Sequence, residues 1–216
     1  MAHIDAFLFD LDGTLIDSID LIFASYRHTL SRHSEAAPPD DVWLEGLGTP
    51  LREQLRPFAP DQGELEAMVA TYRDFNLVHH DAMVRPFPGI RAAVELLKAR
   101  GLGLAVVTSK ARSGLHRGLD ACGLDDLFSA LVAADDVTRH KPDPTPVLEA
   151  LDLLGVEAGR AVFVGDSPHD MEAGRRAGTR TAAALWGPFP QHQLAKHSPD
   201  FWLARPAEIP RLACSY

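Results

Sequence analysis

The chain has 216 residues, 46% of them hydrophobic and 24% charged, an ordinary balance for a globular protein with a real core and room for one domain or a domain with a modest insertion. Its formal charge of −9 argues against nucleic acid as a partner, because phosphate-backbone binders carry basic patches; small anionic substrates stay open, since they need only a local positive site. No apolar run approaches the roughly 20 residues of a membrane span, no leader-like segment precedes the first strand, and Cys122 and Cys214 form neither a metal-ligand spacing nor an implied disulfide. The expectation is a cytoplasmic protein that engages neither nucleic acid nor membrane, as a monomer or homodimer.

In chain order, Ala6-Phe7-Leu8-Phe9 reads as a short buried strand. It stops at Asp10-Leu11-Asp12-Gly13-Thr14. Two carboxylates there are poor core material, because a buried carboxylate without its partner costs about 3–5 kcal/mol. A cation would resolve the conflict, and Gly13 permits a turn. The segment is therefore a candidate metal-assisted reaction centre; taken alone, it reads equally well as a solvated turn.

A helix is expected from Ile19 to Arg32, capped by Asp17 or Ser18. After a polar break from His33 to Pro39, the pattern is helical to about Val84, punctuated by Gly46, Gly48, Pro50, Pro57, Pro60 and Gly63. Beyond Pro86-Phe87-Pro88-Gly89 the character changes. Helices over Ile90–Arg100, Ala111–Ala121, Pro146–Leu154 and Met171–Ala177 alternate with strands over Leu104–Val107, Leu131–Ala133, Ala161–Val164, Thr181–Leu185 and Phe201–Leu203. Such alternation means βαβ units, hence an α/β fold with a Rossmann-like parallel sheet and helices on both faces. The domain reading is a core of residues 1–16 and 86–216 with a small helical insertion at 17–85, joined by linkers around Leu15–Asp17 and Val84–Pro88.

Three strands end in polar residues: Asp10 and Asp12, then Thr108 and Ser109, then Asp166 and Ser167 with Asp170 beyond. In a parallel sheet those ends converge on one edge. Lys141, in His140-Lys141-Pro142-Asp143, lies on a loop between the last two. Carboxylates, a hydroxyl and a lysine at one edge suit phosphoryl transfer to a carboxylate nucleophile.

Together, Phe9-Asp10-Leu11-Asp12-Gly13-Thr14, Val107-Thr108-Ser109-Lys110, Lys141-Pro142 and Gly165-Asp166-Ser167-Pro168-His169-Asp170 resemble the four signature motifs of the haloacid dehalogenase superfamily, in order and across nearly the whole chain. The helical insertion resembles that superfamily's type-1 cap. The resemblance implies Asp10 as nucleophile and Asp12 as acid and then base. It implies Thr108, Ser109 and Lys141 around the phosphate, and Mg²⁺ held by Asp10, the Asp12 carbonyl and Asp166, with Asp170 in support. Asp12 favours a phosphatase or mutase over a dehalogenase, because a halide leaves without protonation.

Within the superfamily the chain resembles the phosphoglycolate phosphatase branch. Through Thr71-Tyr72-Arg73-Asp74-Phe75-Asn76, His79-His80-Asp81, Thr108–Arg112 and Asp135–Pro144 it resembles, more narrowly, the PpaX-type pyrophosphatases. The expected partner is a small phosphorylated substrate, phosphoglycolate or pyrophosphate. The alternatives are a sugar-phosphate phosphatase, a β-phosphoglucomutase-like mutase and, from another class, a non-catalytic binding module. Arg52 and Arg73 are the candidate substrate contacts in the cap, although a solvated helix surface is the plainer reading for each of them, as it is throughout Tyr72-Arg73-Asp74-Phe75-Asn76 and His79-His80-Asp81. Adjacent histidines on a helix diverge rather than chelate, His169 reads as a solvent-exposed loop residue, and Trp43, Trp186 and Trp202 read as core or interface.

Overall fold

The computed structural model describes residues 3–34 and 40–213. Cys214 and part of the expected break from His33 to Pro39 lie outside them. Strand β1 (Ala6–Phe9) is fully buried, and its alternate residues feed two cores. Phe7 and Phe9 join Leu104, Val106, Val162 and Val164 on one face of the sheet; Ala6 and Leu8 join Ala105, Val107 and Phe163 on the other. A strand covered on both faces has no place for a polar side chain, so the carboxylates can begin only where β1 ends.

From there the chain runs through β2 (Ile16–Asp17), α1 (Ile19–His33), α2 (Asp40–Gly46), α3 (Leu51–Leu55), α4 (Gln62–Met83) and β3 (Arg85–Pro86). It returns to the sheet with α5 (Ile90–Ala99), β4 (Gly103–Val107), α6 (Arg112–Ala121), β5 (Ala130–Val132), α7 (Thr145–Leu154), β6 (Ala161–Gly165) and α8 (Pro168–Ala177). β7 (Arg180–Ala184), α9 (Gln191–Leu194), β8 (Phe201–Leu203) and α10 (Ile209–Leu212) complete it. The six sheet strands stand in the order β5-β4-β1-β6-β7-β8, and all neighbours are parallel. Helices α5, α6 and α10 cover the Phe7 face, and α7 and α8 cover the Leu8 face. The parallel α/β fold expected from the sequence is borne out.

The order reverses direction around β1, and such a switch point opens a crevice at the strands' carboxyl ends. Phe9 is level with Val106 and Val164, so Asp10, Thr108 and Asp166 emerge from three adjacent strands at nearly the same height.

Helices α1 to α4 form a unit over this edge. Tyr26 stacks flat on Trp43, with centroids 4.5 Å apart and planes 4° from parallel, and Tyr72 tilts against Tyr26. Leu30, Leu55, Leu65 and Met68 fill the rest of that cluster, which continues onto Met171, Ala183 and Phe189. The tryptophans part company: Trp43 is core, Trp186 donates to the Thr14 carbonyl at 3.0 Å, and Trp202 is exposed.

Two local features depart from the sequence reading. The expected linkers pair with each other as a two-residue antiparallel ladder, Ile16 opposite Pro86 and Asp17 opposite Arg85; runs so short carry no periodic signal. Helix α8 begins at Pro168, three residues before the expected Met171. Pro168 occupies the first turn and Ser167 and Asp170 form a reciprocal capping box, the usual start of a helix with Pro inside it.

Phe9→Ala, which empties a site fully buried in β1, is expected to cost about 3–5 kcal/mol of unfolding free energy. Val78→Ala, on the exposed side of α4, should stay within about 0.5 kcal/mol. Urea titration of the two variants checks both; comparable losses would contradict the assigned core.

Candidate active site

Lys141 is the hub. Only 2% exposed, its Nζ donates to Asp10 Oδ1 at 2.8 Å, Asp170 Oδ1 at 2.6 Å and the Val107 carbonyl at 3.3 Å. An ammonium has three hydrogens, and all three are placed. Both oxygens of Asp170 are engaged: beside the Lys141 bond to Oδ1, its Oδ2 accepts from the Ser167 N–H at 3.0 Å and the Ser167 hydroxyl at 2.6 Å.

Asp166 stands at the end of β6 and accepts from the Thr14 hydroxyl at 2.5 Å. Two glycines make its approach possible. A Cβ on Gly187 would lie 2.3 Å from Asp166 Cβ. Gly13 has φ +86°, and a Cβ there would lie 2.5 Å from Asp166 Oδ2. No larger residue fits either place, and the positive φ adds strain for any side chain at Gly13.

Carboxylate oxygens of Asp10, Asp166 and Asp170 lie within 4.8 Å of one another, all three buried. Burial pushes the Asp10 carboxyl up to about 7, with the Asp170 charge adding and Lys141 opposing. Burial likewise raises Asp166 well above the usual carboxylate range, and the charges of Asp10 and Asp170 add to it. Burial alone would lower Lys141, but the charges of Asp10 and Asp170 hold its ammonium above the ordinary lysine value. Three acids against one ammonium leave the nest short of positive charge. A hard divalent cation with oxygen ligands fits that deficit. Asp166, with an oxygen left over, and Asp10 suit it better than Asp170, whose oxygens are already engaged.

Asp12 points elsewhere. Its Oδ1 accepts from the Ser18 hydroxyl at 2.5 Å and from Lys110 Nζ at 2.6 Å. Ser18, expected as a helix cap, makes no side-chain cap bond; the carboxylate has claimed its hydroxyl. Thr108 is buried at the end of β4, and its Oγ1 accepts from the Lys110 N–H at 3.1 Å. The Ser109 hydroxyl is buried without a partner.

These groups open onto a cavity of about 600 Å³ that Asp10, Asp12, Thr108, Ser109 and Lys110 line from below, and Arg52, Arg73 and Tyr72 from the helical unit. Arg52 and Arg73 thus reach the cavity as expected, although Arg52 is hydrogen-bonded to Glu66. The solvated-surface reading of the neighbouring cap residues fails at three places. Tyr72 and His80 are buried, and Asn76 donates to the Ser25 hydroxyl at 3.1 Å. His169 is half-buried in the first turn of α8, where a Cβ on Gly48 would lie 3.3 Å from its ring, rather than exposed in a loop. The two adjacent histidines do diverge: His79 packs on Phe75, away from the acidic cluster.

Sequence reasoning missed the supporting partners Thr14, Ser18, Lys110 and Ser167. The capping-box spacing from Ser167 to Asp170 was the one readable signal among them.

The strand order and the crevice at β1 define an open α/β protein of Rossmann type. More narrowly, the chain belongs to the haloacid dehalogenase-like hydrolase family, whose model matches residues 7–184. The pyrophosphatase PpaX of Anoxybacillus flavithermus is 37% identical over 207 residues, covering 96% of this chain and 95% of that protein. Among solved structures, a protein from Haemophilus somnus described as a predicted phosphoglycolate phosphatase is 25% identical, with TM-score 0.86, over 98% of this chain and 99% of that one. A variant of CbbY from Rhodobacter sphaeroides in complex with xylulose-1,5-bisphosphate is 25% identical, with TM-score 0.83, over 95% of this chain and 96% of that one. The resemblance seen in the four motifs is borne out, and among the described residues no helix is long and apolar enough to cross a membrane.

A pH dependence follows from the raised carboxyls. A carboxyl raised in the fold contributes stability that is complete below its unfolded value of 3.8 and is lost as pH rises toward its folded value. In chelator, Asp166→Asn should therefore gain on the wild type as pH rises from about 5 to about 8. Excess Mg²⁺ should stabilise the wild type more than the variant. Denaturant titrations across that range measure both; a gap independent of pH would contradict the burial-driven shift.

Proposed function

We propose that the protein is a Mg²⁺-dependent phosphohydrolase that works through an aspartyl phosphate on Asp10 and acts on a small phosphorylated substrate. The observation that carries the reading is the Lys141 hub: one buried ammonium between Asp10 and Asp170, with Asp166 beside them and Asp10 lining the cavity. A bound Mg²⁺ would be held by Asp10, Asp166 and the Asp12 carbonyl and would supply positive charge to the phosphoryl oxygens.

The protein's own groups then divide the reaction. A carboxylate oxygen of Asp10 forms a bond to phosphorus as the bond from phosphorus to the leaving oxygen breaks, and Asp12 gives that oxygen a proton. In the second half Asp12 takes a proton from water, whose oxygen bonds to phosphorus and frees Asp10. Thr108 and the backbone N–H of Ser109 steady the phosphoryl group, and Lys141 balances the charge of Asp10 while the bond forms. Asp170 positions Lys141. Lys110 and Ser18 position Asp12. Residues 17–85 act as a cap that closes the crevice, on a core of residues 1–16 and 86–216.

The names of the relatives bring pyrophosphate and phosphoglycolate forward as first substrates to try. The test is phosphate release with Mg²⁺ across a panel of pyrophosphate, phosphoglycolate, sugar phosphates and nucleotides. Asp10→Asn should lose turnover by about a thousandfold or more while its melting temperature stays near that of the wild type. Substantial residual turnover in that variant would remove Asp10 as the nucleophile. A wild type silent across the panel would remove the phosphohydrolase reading itself.

A further inference from the structure

Asp166 is gripped from several sides, and one of them lies outside the four motifs. Its Oδ1 accepts from the Thr14 hydroxyl at 2.5 Å. Its Oδ2 is flanked by two glycines: a Cβ on Gly13 would lie 2.5 Å from it, and one on Gly187 2.8 Å. Thr14 therefore sets the rotation of the carboxylate, and Thr14 itself needs an anchor. Gly13, just before it, has φ +86° and no side chain to restrain the turn. The Leu11 carbonyl takes the Leu15 and Ile16 N–H groups at 2.9 and 3.0 Å but the Thr14 N–H only at 3.4 Å. A firmer tie comes from elsewhere in the chain, where the Trp186 indole N–H donates to the Thr14 carbonyl at 3.0 Å.

Trp186 lies two residues past the end of β7 and beyond the residues 7–184 that the family model matches. It is held on both sides. The ring packs against the cluster on the Phe7 face, and Phe189, three residues on, is buried with Tyr26 and Trp43 in the core of the helical unit. Between them Gly187 rests against Asp166. A ring needed for packing alone could be Phe; an indole adds one donor and no acceptor, and here that donor meets the Thr14 carbonyl. The other tryptophans differ: among the described residues Trp43 Nε1 is buried without a partner, and Trp202 is exposed.

We propose that Trp186 is a positioning residue of the metal site. Its N–H fixes the Thr14 peptide, the Thr14 hydroxyl fixes Asp166 Oδ1, and the other oxygen of Asp166 is left for Mg²⁺. Removing an outer partner of a metal ligand typically costs about 10–100-fold in affinity. Trp186 acts through Thr14, so its loss costs less than that of the Thr14 hydroxyl. This rests on the Mg²⁺ site of the reading above and extends it to a segment that supplies no ligand.

The test is calorimetric titration of Mg²⁺ alone into the full chain and its variants. Thr14→Val, which keeps the shape and loses the hydroxyl, should weaken binding about tenfold, and Thr14→Ser should keep most of the wild-type affinity. Trp186→Phe, which keeps a ring and loses the N–H, should weaken binding about fivefold, and Trp202→Phe should leave it unchanged. The relay ends in an indole, so tryptophan emission of the wild type should change as Mg²⁺ saturates the site. Trp202→Phe should keep that response and Trp186→Phe lose it. The proposal is overturned if Trp186→Phe or Thr14→Val binds Mg²⁺ as the wild type does, or if Trp202→Phe weakens binding as much as Trp186→Phe. It is also overturned if the wild-type emission ignores Mg²⁺, an outcome readable even where Trp186→Phe does not fold. A wild type that binds Mg²⁺ and shows these effects, yet releases no phosphate from any substrate, would remove the hydrolase reading and leave the role of Trp186 standing.

Discussion

The site depends on one buried ammonium. Taking a lysine out of water costs several kcal/mol, and only close, well-hydrogen-bonded counter-charges repay it. Lys141 meets that condition with two carboxylates and a carbonyl, and each partner constrains a different element. Asp10 ends β1, the Val107 carbonyl ends β4, and Asp170 is fixed by the capping box that starts α8. One charge therefore ties two strand ends, a connecting loop and a helix start together. The same tie offsets part of the cost of burying Asp10. Without Lys141 nearby, its carboxyl would be driven further toward the neutral form.

Around that fixed centre, the second carboxylate of the turn after β1 is held by different elements. Asp12 is bound by Ser18, the residue just before α1, and by Lys110, just before α6. Ser18 also adjoins the small ladder of β2 and β3 through which the helical unit leaves and rejoins the sheet. A displacement of the helical unit pivoting at that ladder would move Ser18, whereas Lys141, Asp10 and Asp170 are all held by the core. The Lys141 charge cluster is thus built into the core, and the partners of Asp12 next to the ladder that joins the helical unit to it.

The legibility of the sequence follows the same division. β1, β4 and β6 could be read because strands buried on both faces must be continuous apolar runs, and because carboxylates, hydroxyls and lysines stand out where such runs stop. Strand order turned those endings into one site, so Asp10, Thr108 and Asp166 needed no tertiary knowledge beyond parallel pairing; Lys141, on a connecting loop, was reached only through the motif resemblance. Ser18 was misread because a serine before a helix has a local use as a cap, and only the fold reveals the stronger acceptor at Asp12. β2 and β3 were invisible because two residues carry no period. The start of α8 was misplaced because Pro168 looks like a breaker until Ser167 and Asp170 are seen to cap it.

His80 marks the deeper limit. On a helix such as α4, pattern can tell an apolar stripe from a polar one, but it cannot tell water from a cavity on the polar side. Asp81, next in the chain, is largely exposed, while His80 is buried where Asn76, Leu77 and Arg117 also border the cavity. Arg117 of α6 approaches Asp81 of α4 at 3.6 Å, a contact between helices far apart in the chain that no local pattern encodes. The reaction chemistry is fixed by strand ends that a parallel sheet brings together whatever the cap does. The far wall of the cavity is built instead by side chains of the helical unit, among them Arg52, Tyr72 and Arg73. That asymmetry is why the reaction type can be read from four short motifs, while the shape of the cavity cannot.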